Sequence, residues 1–373
     1  MAAFGTGDLY HWKIYTVNFL LSFAVQGSLI FVPLLGAQLG GSDFQVGLIG
    51  SAYGGAFLVS SLVSGWKSDT SGRVVFVRRG LLICCAAFAA QLLSFNLWLL
   101  MALRALVGFS LGIAVAASIA YAHEAGADMG VFSSYGSLGW IFGSMAAAIL
   151  GDIRFLFALS AAVCFLAFWI ARGFGEKTGQ SFPGRPNLWK VVVKNRRIYA
   201  AVFLRHLGAT AVWIILPLYF ASLGLDKFWI GLLWGINFTV QFVVMRYLER
   251  FSAHKTFAFG QLLSLLVFVA YAFVAKLWPL IVAQALLGVA WSCLYVGALL
   301  IVLNSGEERG TASGIFQSTL NFCNAVGPLL GGAFAQLWGY RGVMLLAAAL
   351  GAAGMLVAVP RTAPAEQGSA GKA

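Results

Sequence analysis

Gly65-Trp66-Lys67-Ser68-Asp69-Thr70-Ser71-Gly72-Arg73, followed by Arg78 and Arg79, is a short polar stretch between two long apolar runs. Gly65 closes the first run and permits close backbone approach; Gly72 permits the positive-φ geometry of a tight reversal. Asp69 and Arg73 are opposite charges four residues apart, in a chain that is only 10% charged. Two readings are open from these residues alone. The stretch is either a solvated, positively charged turn between membrane spans, or a gate that latches one part of the molecule to another.

The surrounding composition decides what kind of chain holds this turn. Of 373 residues, 61% are hydrophobic, and mean hydropathy is +0.88. A soluble domain carries about 25% charged residues, so this much apolar surface reads as a polytopic membrane protein. Its 44 Gly, 31 Phe and 12 Trp suit helices packed closely in lipid. A net charge of +12 would suggest nucleic acid in a soluble protein. Here Lys and Arg gathered in cytoplasmic loops account for it, and no nucleic-acid partner is expected.

Several chemistries find no support. Cys84, Cys85, Cys164, Cys293 and Cys323 all fall in apolar runs, which favours packing over disulfides or a metal site. No G-x-x-x-x-G-K-[ST] phosphate loop occurs, so ATP hydrolysis is not expected. His11, His123, His206 and His254 are scattered, with no H-x-x-x-H and no paired carboxylates. An enzyme and a cofactor are therefore not expected. Residues 14–37 are too long for the apolar core of a secretory signal and read as a first span.

Crossing a bilayer takes about 20 apolar residues. Twelve such runs are present, at 12–37, 43–65, 74–95, 97–122, 129–150, 153–172, 198–223, 227–248, 255–275, 277–303, 310–337 and 340–359. Residues 173–197 form the one long connector, in which Leu188 to Lys194 reads as a short amphipathic surface helix. With both termini cytoplasmic, eighteen of the 24 Lys and Arg lie inside, four outside, and Arg104 and Arg205 within spans. That bias orients the protein in a cytoplasmic membrane.

An internal repeat divides the chain. Pro33, Gly40 and Gly47 recur as Pro217, Gly224 and Gly231, each at an offset of 184. Ala105-Leu106-Val107-Gly108 recurs as Ala285-Leu286-Leu287-Gly288, and Gly130 as Gly310, at an offset of 180. The expectation is an all-α membrane protein of twelve helices in two pseudo-symmetric six-helix bundles, 1–172 and 198–373, joined by a 173–197 cytoplasmic connector.

At this point the chain resembles the major facilitator superfamily over nearly its whole length. Gly65, Asp69, Gly72 and Arg73 match the loop signature of that family between spans 2 and 3, with Val74 and Thr70 departing from it. Arg104 to Gly108 is similar to its R-x-x-x-G motif in span 4. Gly327-Pro328-Leu329-Leu330-Gly331-Gly332 looks like a G-P-x-x-G-G element that its drug antiporters carry in span 5; here it stands in span 11, and span 5 has Gly139 and Gly143 without proline. The resemblance implies rocker-switch alternating access. Spans 1, 4, 7 and 10 would line a central cavity, helped by spans 2, 5, 8 and 11.

Ionisable groups inside a span are costly and point to function. Arg104, Arg205 and the neutral polar stripes that reach the cavity are therefore candidates for substrate binding: Asn18 and Gln26 on span 1, Asn237 and Gln241 on span 8, Gln317 and Asn321 on span 11, with Trp213 as a stacking surface. Each arginine can equally be structural, and each stripe can be interhelical glue. His206 is a packing histidine or a proton carrier. For gating the residues are Gly65, Asp69, Gly72, Arg73, Glu124 and Asp128. Asp69 would accept from backbone donors near Gly310, and Arg73 would pair with Glu124 or Asp128, while the cytoplasmic side is closed.

All twelve acidic residues lie in loops or at span ends, so a proton-carrying carboxylate in mid-span is not expected. A cavity with arginines and no carboxylate favours a neutral, amphipathic or anionic substrate. The leading expectation is a monomeric secondary transporter of a small organic solute. A proton-coupled drug exporter is the alternative, and a lipid scramblase the alternative of another class.

Overall fold

The computed structural model describes residues 6–175, 188–306 and 309–358, and their regular structure is entirely helical. In order the helices are α1 (Thr6–Leu29), α2 (Val32–Gln38), α3 (Asp43–Ser71), α4 (Arg73–Ala90), α5 (Leu97–Glu124), α6 (Met129–Leu150), α7 (Ile153–Ala171), α8 (Leu188–Ser222), α9 (Lys227–Met245), α10 (Ala253–Phe273), α11 (Leu277–Leu303) and α12 (Arg309–Ala358). Ten stretches of the described residues are long and apolar enough to cross a membrane. Two features separate that number from the expected twelve runs. Helix α6, rich in Ser and Gly, is not among the ten. The expected eleventh and twelfth runs are one element, α12, interrupted by the non-helical backbone of Gly339 at φ 67 and ψ 178.

Short polar residues start many of these helices. Ser42 and Gln45 form a reciprocal capping box at α3. Asn96 accepts from the Leu99 N–H at 2.8 Å, and Asp226 from that of Trp229 at 3.0 Å. Asp128 caps α6 through the N–H groups of Gly130 and Val131 at 2.8 and 2.9 Å. Asp152 caps α7 through those of Arg154 and Phe155 at 2.8 and 3.0 Å. Each such cap satisfies donors that the first helical turn leaves open, worth about 1 kcal/mol. The Phe155 N–H holds the Asp152 carboxyl below its ordinary range, with the Arg154 N–H, Lys227 and Arg154 acting the same way and partial burial opposing.

The structure corrects the expected loop between the second and third runs. Helix α3 continues past the last apolar turn to Ser71, and only Gly72, at φ 89, separates it from α4. A helix that leaves the bilayer needs no apolar face, so polarity at 66–71 marks the membrane exit and not the helix end. The side chains of Gly65, Trp66, Asp69, Thr70 and Ser71 lie outside the described residues. A second correction concerns the expected surface helix at Leu188–Lys194. It is the first part of α8, which runs unbroken for 35 residues. Residues 176–187 of the expected connector lie outside the described residues.

Packing follows a consistent pattern. Helix α1 packs on α6 and α7, α5 on α3 and α4, and α4 on α7. Likewise α12 packs on α8 and α10, and α11 on α9 and α10. Between these sets the main contacts are α3 against α12 and α6 against α9. Small residues permit the close crossings: a Cβ on Gly331 would stand 2.1 Å from the Ala211 carbonyl of α8, and one on Gly139 2.4 Å from the Phe19 carbonyl of α1. Between α3 and α12 the backbones meet, and a Cβ on Gly47 would stand 2.4 Å from the Pro328 carbonyl oxygen. One core cluster, including Val46, Ile49, Ile215 and Leu216, joins both sets; two others lie wholly within residues 14–174 and 191–320.

Candidate functional site

Antiparallel helices gather their turns at two ends of the molecule. One end carries the Ser42 and Gly151 turns; the other carries Gly72 and the Ala125–Asp128 turn. At the Ser42 end, contacts cross between α1–α7 and α8–α12. The Tyr340 hydroxyl donates to Asp43 Oδ1 at 3.3 Å. Lys227 Nζ donates to the Gly151 carbonyl at 2.7 Å and lies 5.7 Å from the Phe31 ring centroid. The Leu329 N–H, next to Pro328, donates to Ser51 Oγ at 2.9 Å.

At the Gly72 end several contacts join helices of the same set. Arg73 Nε donates to Glu124 Oε1, joining α4 to the end of α5. Arg78 donates to the carbonyls of Ala171, Arg172 and Phe174, capping the C-terminus of α7. The Asp128 N–H donates to the Tyr15 hydroxyl at 3.0 Å. Asn195 Nδ2 donates to Ser305 Oγ at 2.8 Å, within α8–α12. The expected contact between Asp69 and the start of the eleventh run lies outside the described residues. The Arg73–Glu124 ion pair ties the start of α4 to the end of α5.

Between the two ends lies the space that the helices enclose. Gly54 of α3 packs against α12: a Cβ there would stand 2.2 Å from the Asn324 carbonyl oxygen. Asn321 and Gln317 stand on the same face of α12, one and two turns toward the Gly72 end, half-buried and exposed respectively.

The other polar candidates are mostly engaged in packing. Asn18 Nδ2 donates to the Phe132 carbonyl at 2.7 Å and Gln26 Nε2 to Ser144 Oγ at 3.1 Å, both tying α1 to α6. Asn237 Nδ2 donates to the Gln284 carbonyl at 2.9 Å, and Gln241 Nε2 to Asn237 Oδ1 at 2.6 Å. Arg104 is 1% exposed, donates to Gln91 Oε1 at 3.0 Å and lies 4.6 Å from the Tyr53 ring centroid. Its charge is thus held between α3, α5 and the turn after α4.

Arg205 and His206 sit in a denser cluster. Arg205 is fully buried and donates through Nε and Nη2 to Ser264 Oγ at 2.8 and 2.5 Å. Its guanidinium carbon lies 5.3 Å from the Trp291 ring and 5.5 Å from the Phe268 ring. The His206 ring stacks on Trp291 at 4.9 Å and 23°, and Trp213 stands edge-on to both, at 5.3 and 5.9 Å. Tyr295 continues the row 5.5 Å from Trp291. From Arg205 to Phe220, every residue of α8 is buried except Trp213. Trp291, Tyr295, Gln91 and Ser264 were not among the sequence candidates. A tryptophan in an apolar span carries no signal of its own, and Ser264 becomes significant only when α10 is placed beside α8.

Comparison with known proteins places this geometry. The model of the Major Facilitator Superfamily matches residues 14–248 and 198–373. The chain is 26% identical over 352 residues to the multidrug resistance protein MdtG of Salmonella typhimurium, covering 85% of this chain and 86% of that protein. Among solved structures, a mutant of the nucleoside transporter NupG superposes with a TM-score of 0.75 at 15% identity, covering 93% of this chain and 98% of the other. The human organic anion transporter MFSD10 superposes with a TM-score of 0.71 at 17% identity, covering 95% and 100%.

Proposed function

From the premise that the chain belongs to the Major Facilitator Superfamily, and is a multi-pass membrane transporter, we propose that it moves a small organic solute by alternating access. The observation that carries this reading is the closure at the Ser42 end, where α3 and α12, and α9 and the turn after α6, are hydrogen-bonded across the two sets. A rocker-switch makes and breaks such contacts between its two sets as it passes from one end state to the other.

The architecture we infer is twelve spans, with α6 as the fifth and α12 divided at Gly339 into the eleventh and twelfth. They form two six-helix bundles, 1–172 and 198–373, linked by 173–197. Equivalent close contacts in the two halves support the duplication. Gly80 meets Ala114 as Gly260 meets Leu294, and Gly108 meets Tyr53 as Gly288 meets Asn237. The eighteen-to-four distribution of Lys and Arg places both termini and the Gly72 end in the cytoplasm. The closed Ser42 end is then the outer side. Gly65, Asp69, Gly72 and Arg73 with Glu124 and Asp128 serve as the cytoplasmic gate region. Gln317, Asn321 and Trp213 face the solute path, with Asn18, Gln26, Asn237, Gln241, Arg104 and Arg205 holding its walls.

Likeness to the multidrug resistance protein MdtG supports export of drug-like organic molecules, and arginines in the spans without a mid-span carboxylate favour neutral, amphipathic or anionic ones. Purified protein in proteoliposomes, challenged with a panel of such solutes, tests the proposal. Saturable flux above that of protein-free vesicles supports it, and no flux across the panel refutes it. Proton coupling is the second reading. It requires flux that follows an imposed pH difference between about pH 5 and 8, with His206 as the titrating candidate.

A further inference from the structure

Two buried polar atoms in the Arg205 cluster have no hydrogen-bond partner among the described residues: Arg205 Nη1 and His206 Nδ1. Both groups lie within stacking distance of one ring, Trp291. Leaving a buried donor unpaired costs about 1–3 kcal/mol, and more for a charged group. A buried guanidinium without a carboxylate costs more still, and Arg205 has no ion pair among the described residues. Ser264 takes two of its N–H groups but brings no charge. Trp291 of α11 stands beside this uncompensated cation, and Trp213, against His206 and Trp291, is half-buried where the rest of that stretch of α8 is closed.

We propose that this cluster is the solute site and that it selects a planar aromatic ring bearing an acidic, acceptor-rich group such as a carboxylate or sulfonate. The ring stacks on Trp213 and the exposed part of Trp291. The acidic group accepts from Arg205 Nη1 and from His206 in its Nδ1–H tautomer. Arg205 thereby gains the counter-charge that the fold withholds. Aromatic cations are excluded by the same arginine, and aliphatic acids lose the stacking. This assignment rests on the transporter reading and narrows its substrate class.

The test uses full-length protein in nanodiscs, with 1-naphthoate, 2-naphthol, cyclohexanecarboxylate and N-methylquinolinium as probes. Binding is followed by thermal shift and tryptophan fluorescence, and flux in proteoliposomes. A carboxylate bonded to a buried guanidinium is expected to bind at least about tenfold tighter than the uncharged analogue. The expected order places 1-naphthoate first. Trp213→Ala weakens 1-naphthoate more than cyclohexanecarboxylate, and Arg205→Gln removes the preference for 1-naphthoate over 2-naphthol. Since Arg205→Gln risks misfolding, Trp213→Ala and Trp291→Phe carry the decision, with exposed Trp338→Phe as the fluorescence control. Equal binding of the cation, or unchanged 1-naphthoate binding in Trp213→Ala and Trp291→Phe, overturns the site. If other solutes are moved while aromatic acids show no preference, the site fails and the transporter reading stands. If nothing in the panel is moved, the transporter reading fails, and binding alone still decides the site.

Discussion

Gly47→Ala is the sharpest perturbation of the closure at the Ser42 end. A Cβ at this position stands 2.4 Å from the Pro328 carbonyl oxygen and 2.9 Å from Gly332 Cα. Both are backbone atoms, so no rotamer relieves the clash. Ordinary contact begins near 3.4 Å, so α3 and α12 must part by about 1 Å. Overpacking of this kind costs about 1–3 kcal/mol. That cost falls only on the state in which the Ser42 end is closed. The equilibrium between the two end states then shifts by about 5- to 150-fold. Spin labels at Ala37→Cys and Gln336→Cys, both exposed positions flanking the contact, read the separation by double electron–electron resonance. Gly47→Ala should transfer population to a longer distance. Gly55→Ala, on the same helix with nothing within 4 Å of its Cβ, should leave the distribution unchanged. Identical distributions for Gly47→Ala and the parent would refute the argument that this crossing sets the closed state.

Three further outcomes follow from contacts within α1–α7. Glu124→Gln leaves Arg73 without its anion in a side-chain pair only about one-fifth exposed, and should lower stability by about 1–2 kcal/mol in thermal unfolding. Arg104→Met should destabilise by about 3 kcal/mol by stranding Gln91 Oε1, and the double variant with Gln91→Leu should recover much of the loss, because removing both partners costs less than removing one. Asp152→Ala should cost α7 about 1 kcal/mol at neutral pH. The Asp152 carboxyl is held low in the folded state, so its contribution is complete above the unfolded value of about 3.9. It is lost as pH falls through the lower folded value, and the difference between parent and variant should vanish there.

The spans were legible in the sequence because an apolar run of bilayer length has few other uses. Helix starts were legible where Ser42, Asp128, Asp152 and Asp226 precede those runs, and Gly72 stands at the positive φ that its type suggests. The extension of α3 through Ser71 was not, since hydrophobicity reports the membrane boundary and says nothing of where a solvated helix ends. Side-chain direction was the larger gap. A helix in a bundle has neighbours on several sides, so a polar stripe does not say which one it meets. Asn18 turns to the Phe132 carbonyl, and Arg104 to Gln91. Trp291 joins His206 and Trp213 only through the α8–α11 contact, which no local pattern encodes.

The central claim is that solute crosses only when the Ser42 end can open. Tyr340 and Asp43 touch across that end, so cysteines at Asp43→Cys and Tyr340→Cys should be bridged by a short bis-maleimide while the structure remains closed there. Flux of a transported solute into proteoliposomes, measured before and after bridging, tests the claim directly. The account predicts that bridging abolishes flux, while the singly labelled variants retain it. Flux that persists through the bridged protein would contradict alternating access and require a path that does not open between the two halves.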